Sequence, residues 1–172
     1  PEKFKLNLSF IDKDIVMAGY FDINNSTIDT STLILAGNVN GFLTRLDSSG
    51  HVKWINTFSG PGINGVSGLK IDATSNIYIT GTFQDSIQLG ALKLYDPDND
   101  FLLSKFDENG AIVWGAQANC DGSIASGSDM VLDHDGNCII TGAFNGNALF
   151  GNFNLNTTNP YDMFIAKYIL IP

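Results

Sequence analysis

Short runs of alternating apolar and polar residues recur along the whole chain, each closed by aspartate, asparagine, serine or glycine. That period-two pattern predicts half-buried β-strands rather than helices. The middle of the chain shows it most cleanly. Val66 to Ile71 alternates and ends at Asp72, residues 73–76 form a turn, and Ile77 to Phe83 is rich in β-branched and aromatic residues. A polar segment with a minor apolar stretch, Leu89 to Leu94, then leads to the acidic knot of residues 96–100. Beyond it, Phe101 to Phe106 and Ala111 to Gln117 flank the turn Asp107-Glu108-Asn109-Gly110. Asn-Gly between two apolar runs predicts a hairpin with a type I′ turn, because both residues tolerate positive φ.

The same four-strand pattern repeats three times with a period of roughly sixty residues. One column aligns Ile15 to Phe21, Ile77 to Phe83 and Cys138 to Phe144, so that Gly19, Gly81 and Gly142 coincide, as do Phe21, Phe83 and Phe144. A second column starts at Asn40, Asp100 and Asp162 and brings Arg45, Lys105 and Lys167 into register. Trp54 and Trp114 recur in the fourth strands. Stacked units that cannot bury their faces alone leave this signature. The expected organisation is an all-β partial β-propeller of about two and three-quarter four-stranded antiparallel blades: residues 1–62, 63–123 and an incomplete 124–172.

Composition agrees with a strand-and-turn architecture. Hydrophobic residues make up 44% and charged residues only 16%, and of the 18 acids just Glu2 and Glu108 are glutamate. Aspartate and asparagine favour turns and caps over helix interiors. Almost no helix is expected.

The combined motif resembles the bacterial β-propeller repeat known as SBBP. It is carried by Asp133, Gly136, Asn137, Thr141 and Gly142, by Asp162, Phe164 and Lys167, and by Asp107, Gly110 and Trp114. The first copy departs from it, with a shortened Asp12-Lys13-Asp14 and with Asn40 replacing the aspartate. The resemblance implies a segment of a large secreted or cell-surface bacterial protein, in a family whose roles vary; a scaffold or protein-interaction segment is the role expected here. Propellers need four to eight blades, or roughly 240 to 480 residues at this period. The expectation is therefore a piece of a longer or processed polypeptide, or a subunit of a ring built from several chains.

A net charge of −9 argues against nucleic acid, whose phosphates demand clustered Lys and Arg. No apolar run approaches the eighteen or so residues of a membrane span. Cys120 and Cys138 fall at opposite ends of different strands, too far apart for a disulfide, and are expected as separate thiols. His51 and His134 fall in turns of different blades, where neither has the partners of a catalytic base. Arg45, Lys105 and Lys167 are expected to pair with aspartates as a structural ladder. No catalytic residue is assigned. The competing classes are a carbohydrate-binding module and part of a carbohydrate-active enzyme.

Two sets of candidate binding residues stand out. Tyr95, Phe150 and Tyr161 lie in the variable segments between second and third strands, where a glycan or protein ligand is expected. Asp96, Asp98 and Asp100, and again Asp133, Asp135 and Asn137, alternate like the start of a calcium loop. The sixth and twelfth positions of a hand-type loop would be Phe101 and Asp107 in one run and Cys138 and Phe144 in the other, so that motif fails. A looser calcium site, or an acidic turn capped by its own side chains, is what those residues leave.

Overall fold

The computed structural model describes residues 6–120 and 122–169, and among these there is no helix. The first unit runs through β1 (Leu6–Ile11), β2 (Asp14–Phe21), a small hairpin of β3 (Ser26–Ile28) and β4 (Ser31–Leu33), then β5 (Asn40–Leu46) and β6 (Val52–Phe58). The second comprises β7 (Gly65–Ile71), β8 (Ile77–Leu89), β9 (Leu92–Phe106) and β10 (Ile112–Gln117). The third has β11 (Ala125–Leu132), β12 (Cys138–Phe144), the hairpin β13 (Asn147–Phe150) and β14 (Phe153–Asn156), and β15 (Asp162–Tyr168). Two four-stranded meanders, β1-β2-β5-β6 and β7-β8-β9-β10, and one three-stranded sheet, β11-β12-β15, follow in order. All their ladders are antiparallel.

The sheets pack face to face in sequence. Between the first and second lie Val16, Ala18 and Leu43 against Val66, Ile77, Ile79 and Phe83. Between the second and third lie Tyr78, Phe101 and Leu103 against Met130, Cys138, Ile140 and Phe144. Successive residues of β8 point to opposite faces, as the pleat requires, so Ile77 and Ile79 serve one interface while Tyr78 serves the other. A central strand buried on both faces explains why the Ile77 to Phe83 run is almost continuously apolar.

Four turns share one chemistry. Asp47, Asp72, Asp107 and Asp133 each accept backbone N–H bonds from the residues two and four further on, all between 2.8 and 3.0 Å. The fourth residue is left-handed in every copy, with φ of +87° at Gly50, +65° at Ser75, +81° at Gly110 and +82° at Gly136. This is a type I turn closed by a left-handed residue, not the type I′ turn that Asn109-Gly110 suggested, since Asn109 keeps negative φ. The aspartate side chain stabilises the type I geometry and so overrides the Asn-Gly preference.

Cations in the second column lie close to these turns. Arg45 Nε stands 2.7 Å from Asp14 and Lys167 Nζ 2.7 Å from Asp133. The middle rung differs: Lys105 Nζ lies 5.3 Å above the Tyr78 ring, while the Tyr78 hydroxyl donates to Asp72. Arg45 and the Trp54 indole also both donate to the Glu108 carbonyl, at 3.0 and 3.2 Å, latching the second sheet's turn onto the first sheet.

Candidate functional site

Each unit inserts a hairpin between its second and third strands, on the rim opposite the aspartate turns. Sequence read these segments as polar and irregular. In the second unit the insert is simply the outer part of β8 and β9, closed at Gly90 with φ +60°. In the third unit β13 pairs with β14 from Asn147↔Asn156 to Phe150↔Phe153. The connection from each sheet to the next runs along these hairpins and pairs with them, Ser59 with Gln88 and Asn119 with Leu149. A cleft opens at each junction.

The cleft at the first junction has a volume of about 390 Å³ and takes Asn38 from the first unit, Gly62 from the connection, and Gln84, Asp85 and Tyr95 from the second hairpin. The cleft at the second junction, of about 400 Å³, is built from other positions of the repeat: Asp96, then Asn119 and Cys120, then Asn147 and Asn154. Volumes of this size fall at the lower end of the roughly 300–1,000 Å³ seen for small-ligand sites. Asn38, Gln84, Asp85, Asn119, Asn147 and Asn154 escaped the sequence reading. The signal for them was the density of amide side chains in and beside the inserts, which reads equally well as loop polarity.

The candidate aromatics part company. Tyr95 is exposed at the first cleft. Tyr161 is exposed as well, just before β15, and lines neither cleft. Phe150 is instead core: it is buried between the second and third sheets, with its ring 4.6 Å from that of Phe164 and 5.6 Å from that of Phe101. The cause is the β13–β14 pleat, which turns Ala148 and Phe150 to the same buried side.

The acidic runs are not calcium loops in shape. Asp96, Asp98 and Asp100 belong to the extended strand β9, where the register jumps between Gln84↔Asn99 and Asp85↔Asp96. Pro97 and Asp98 bulge out there, and Asp96 accepts the Asp98 N–H at 2.9 Å. In the other run, the Asp133 carboxylate already receives Lys167, the Asn137 amide and the N–H groups of Asp135 and Asn137. The Lys167 ammonium, aided by Asn137, holds its pKa well below the usual carboxylate range. Those bonds occupy the lone pairs a cation would need. Among the described residues no three His, Cys, Asp or Glu side chains converge as a metal site.

One buried acid is unusual. Asp100 lies behind Cys120 with no exposure, accepting from Phe101 N–H at 2.6 Å, Gln117 Nε2 at 3.3 Å and Cys120 Sγ at 3.5 Å. Burial, and then the negative charge of Asp96, pushes its pKa up to about 7 against the pull of the Phe101 N–H. Both cysteines are free and buried. Burial raises the Cys120 thiol and pushes Cys138 up to about 12, so neither is a thiolate near neutral pH. His51 and His134 are exposed beside Asp47 and Asp135, on the turn rim away from both clefts. No helix among the described residues is long and apolar enough to cross a membrane.

No known family model matches the chain. It is 23% identical over 163 residues to an uncharacterized WD repeat-containing protein of Acanthamoeba polyphaga mimivirus, a stretch covering 84% of this chain but 11% of that relative. The chain thus spans about a ninth of the length of the protein it matches. The stacked meanders and this distant similarity agree on a β-propeller-like repeat protein.

Proposed function

We propose that the chain is a non-enzymatic scaffold segment whose two outer sheet faces are covered by further blades of the same repeat, and whose hairpin rim meets a protein partner. One comparison carries this reading. Register places Leu8 of β1 at the position of Leu69 and Met130; Leu8 is 63% exposed, whereas those two are 4% and 2% exposed. On the other outer face, Met163 and Ile165 are 89% and 76% exposed, whereas Phe101 and Leu103 at the same positions of the second sheet are both fully buried. Both faces repeat the apolar pattern of the internal interfaces and lack only the neighbouring sheet. Among the described residues β15 is the last strand of the third sheet, and its outer edge corresponds to the β9 edge that β10 occupies.

Interaction scaffolding fits the WD-repeat character of the relative. A secreted or cell-surface bacterial setting belongs to the proposal and rests on the motif resemblance alone, for the similar protein named above is viral. A carbohydrate-active enzyme has one observation in its favour, the Asp100 carboxyl with its pKa near 7 beside Asp96. Asp100 is sealed behind Cys120, however, and does not line either cleft. The test is a panel of glycoside and ester substrates. No turnover is expected, and turnover abolished by Asp96→Asn or Asp100→Asn would overturn the scaffold reading.

A further inference from the structure

Beside the cleft at the first junction, bare backbone packs against bare backbone. A Cβ on Gly60 would stand 1.8 Å from the Ser86 carbonyl oxygen, one on Gly62 2.6 Å from the Gln84 carbonyl oxygen, and one on Gly37 2.1 Å from the Gly60 carbonyl oxygen. Three segments therefore cross with no side chain between them, an approach that glycine alone permits. This close crossing fixes the walls. In the cleft's lining Asn38 and Gln84 contribute amides, Asp85 a carboxylate, Tyr95 an aromatic ring, and Pro61 and Pro97 apolar rings. Asp85 is held at φ +66°, a strained conformation for a non-glycine residue and one that collects at ligand clamps. It stands at the register jump where β9 bulges.

We infer that this cleft is a binding subsite for a neutral sugar. Planar amides each offer a donor and an acceptor, a pairing suited to adjacent hydroxyls, and the Asp85 carboxylate accepts two more hydroxyl bonds. The exposed Tyr95 ring and Pro97 offer apolar faces to the C–H side of a pyranose. Other ligand classes fit worse. An anion would meet Asp85 and a chain of net charge −9, with no Lys or Arg in the lining. A lipid would find amides and a carboxylate in place of an apolar wall, and a divalent cation would find a single carboxylate.

The repeat itself supplies a comparison. Tyr95 faces Ser86 across its hairpin, and the corresponding pair in the third unit is Asn147 and Asn156. Asn156 therefore stands where the tyrosine would be; the second cleft, built from other positions, has no aromatic residue in its lining. Of the two clefts, only the first combines amides, a carboxylate and an aromatic ring.

The experiment is saturation-transfer NMR and calorimetry on the 172-residue chain with glucose, galactose, mannose, N-acetylglucosamine, lactose and cellobiose. At least one should bind with Kd of about 0.1–10 mM, as expected for a small, solvent-open site. Tyr95→Ala and Gln84→Ala should each weaken it at least about fivefold, while Asn154→Ala leaves it unchanged. Unaltered tryptophan fluorescence would show that the variants are folded. Absence of saturable binding below about 10 mM for every sugar overturns the inference. So does binding that survives Tyr95→Ala and Gln84→Ala or is lost with Asn154→Ala.

Discussion

Gly81→Ala should be among the most damaging single-methyl additions to this protein. In β7 the register skips Ser67, so Val66 faces Gly81 and Gly68 faces Thr80. That bulge pushes the Gly65 carbonyl over the Gly81 Cα, where an added Cβ would stand 1.9 Å from the oxygen, 2.9 Å from its carbon and 3.1 Å from the Val66 Cα. All three are backbone atoms, so no side chain can swing aside. Reaching even 3.0 Å requires β7 to retreat by about 1.1 Å, into the packed interface with the first sheet. Overpacking of this kind costs roughly 1–3 kcal/mol. Weakening a ladder hydrogen bond adds about 1 kcal/mol, and the stiffer unfolded chain returns about 0.4–1 kcal/mol. A net loss of about 2–3 kcal/mol is expected. Urea denaturation followed by fluorescence reads it well, since Trp54 and Trp114 pack against the two interfaces. Gly142→Ala should behave alike, its Cβ meeting the Ser126 carbonyl oxygen at 2.1 Å and the Phe164 ring at 2.5 Å. Gly50→Ala is the control: with φ +87° and nothing within 4 Å, it should cost only the left-handed strain, about 1 kcal/mol. A Gly81→Ala protein less destabilised than Gly50→Ala would refute the reasoning.

Further outcomes follow from named groups. Asp100 has its folded pKa raised from 3.8 to about 7, so the folded state holds its proton more tightly than the unfolded chain, and this contribution to stability declines as pH rises from about 4 to about 7. Asp100→Asn, which installs the residue the first unit carries as Asn40, should be more stable than the parent at pH 8, by up to about 4 kcal/mol, and lose that advantage at pH 4. Equal urea midpoints for both proteins at pH 8 would contradict it. Phe150→Ala should cost about 3–5 kcal/mol, as a core truncation does, and leave sugar binding in the folded fraction unchanged. Ser75→Gly relieves a left-handed serine in the second aspartate turn and should raise the unfolding free energy by about 0.5–1 kcal/mol, seen as a higher urea midpoint.

The glycine column illustrates how much the sequence discloses. Gly19, Gly81 and Gly142 announce a repeat, yet the reason for glycine at the last two is the carbonyl of a bulge in the neighbouring strand, which no pattern along one strand encodes. The aspartate turns were legible because the side chain acts locally, on N–H groups two and four residues away. Even there, local chemistry misled at Asn109-Gly110, where Asp107 selects a different turn. The insert hairpins were hidden because their apolar residues, Ile87 and Leu89 or Ala148 and Phe150, point to one buried side across short, amide-rich strands. For that reason Phe150 read as a loop aromatic. The clefts need three segments to meet, two hairpins and a connection, and so became visible only in the fold.

The account rests most heavily on the outer faces being blade interfaces. Light scattering of the purified chain across a hundredfold concentration range, beside a Met163→Asp, Ile165→Asp double variant, tests this directly. The wild-type chain should exceed 18.5 kDa as concentration rises, because the first sheet of one copy covers the third sheet of the next, and the double variant should stay at the monomer mass. A wild-type chain that remains a stable 18.5 kDa monomer throughout, indistinguishable from the variant, would contradict it.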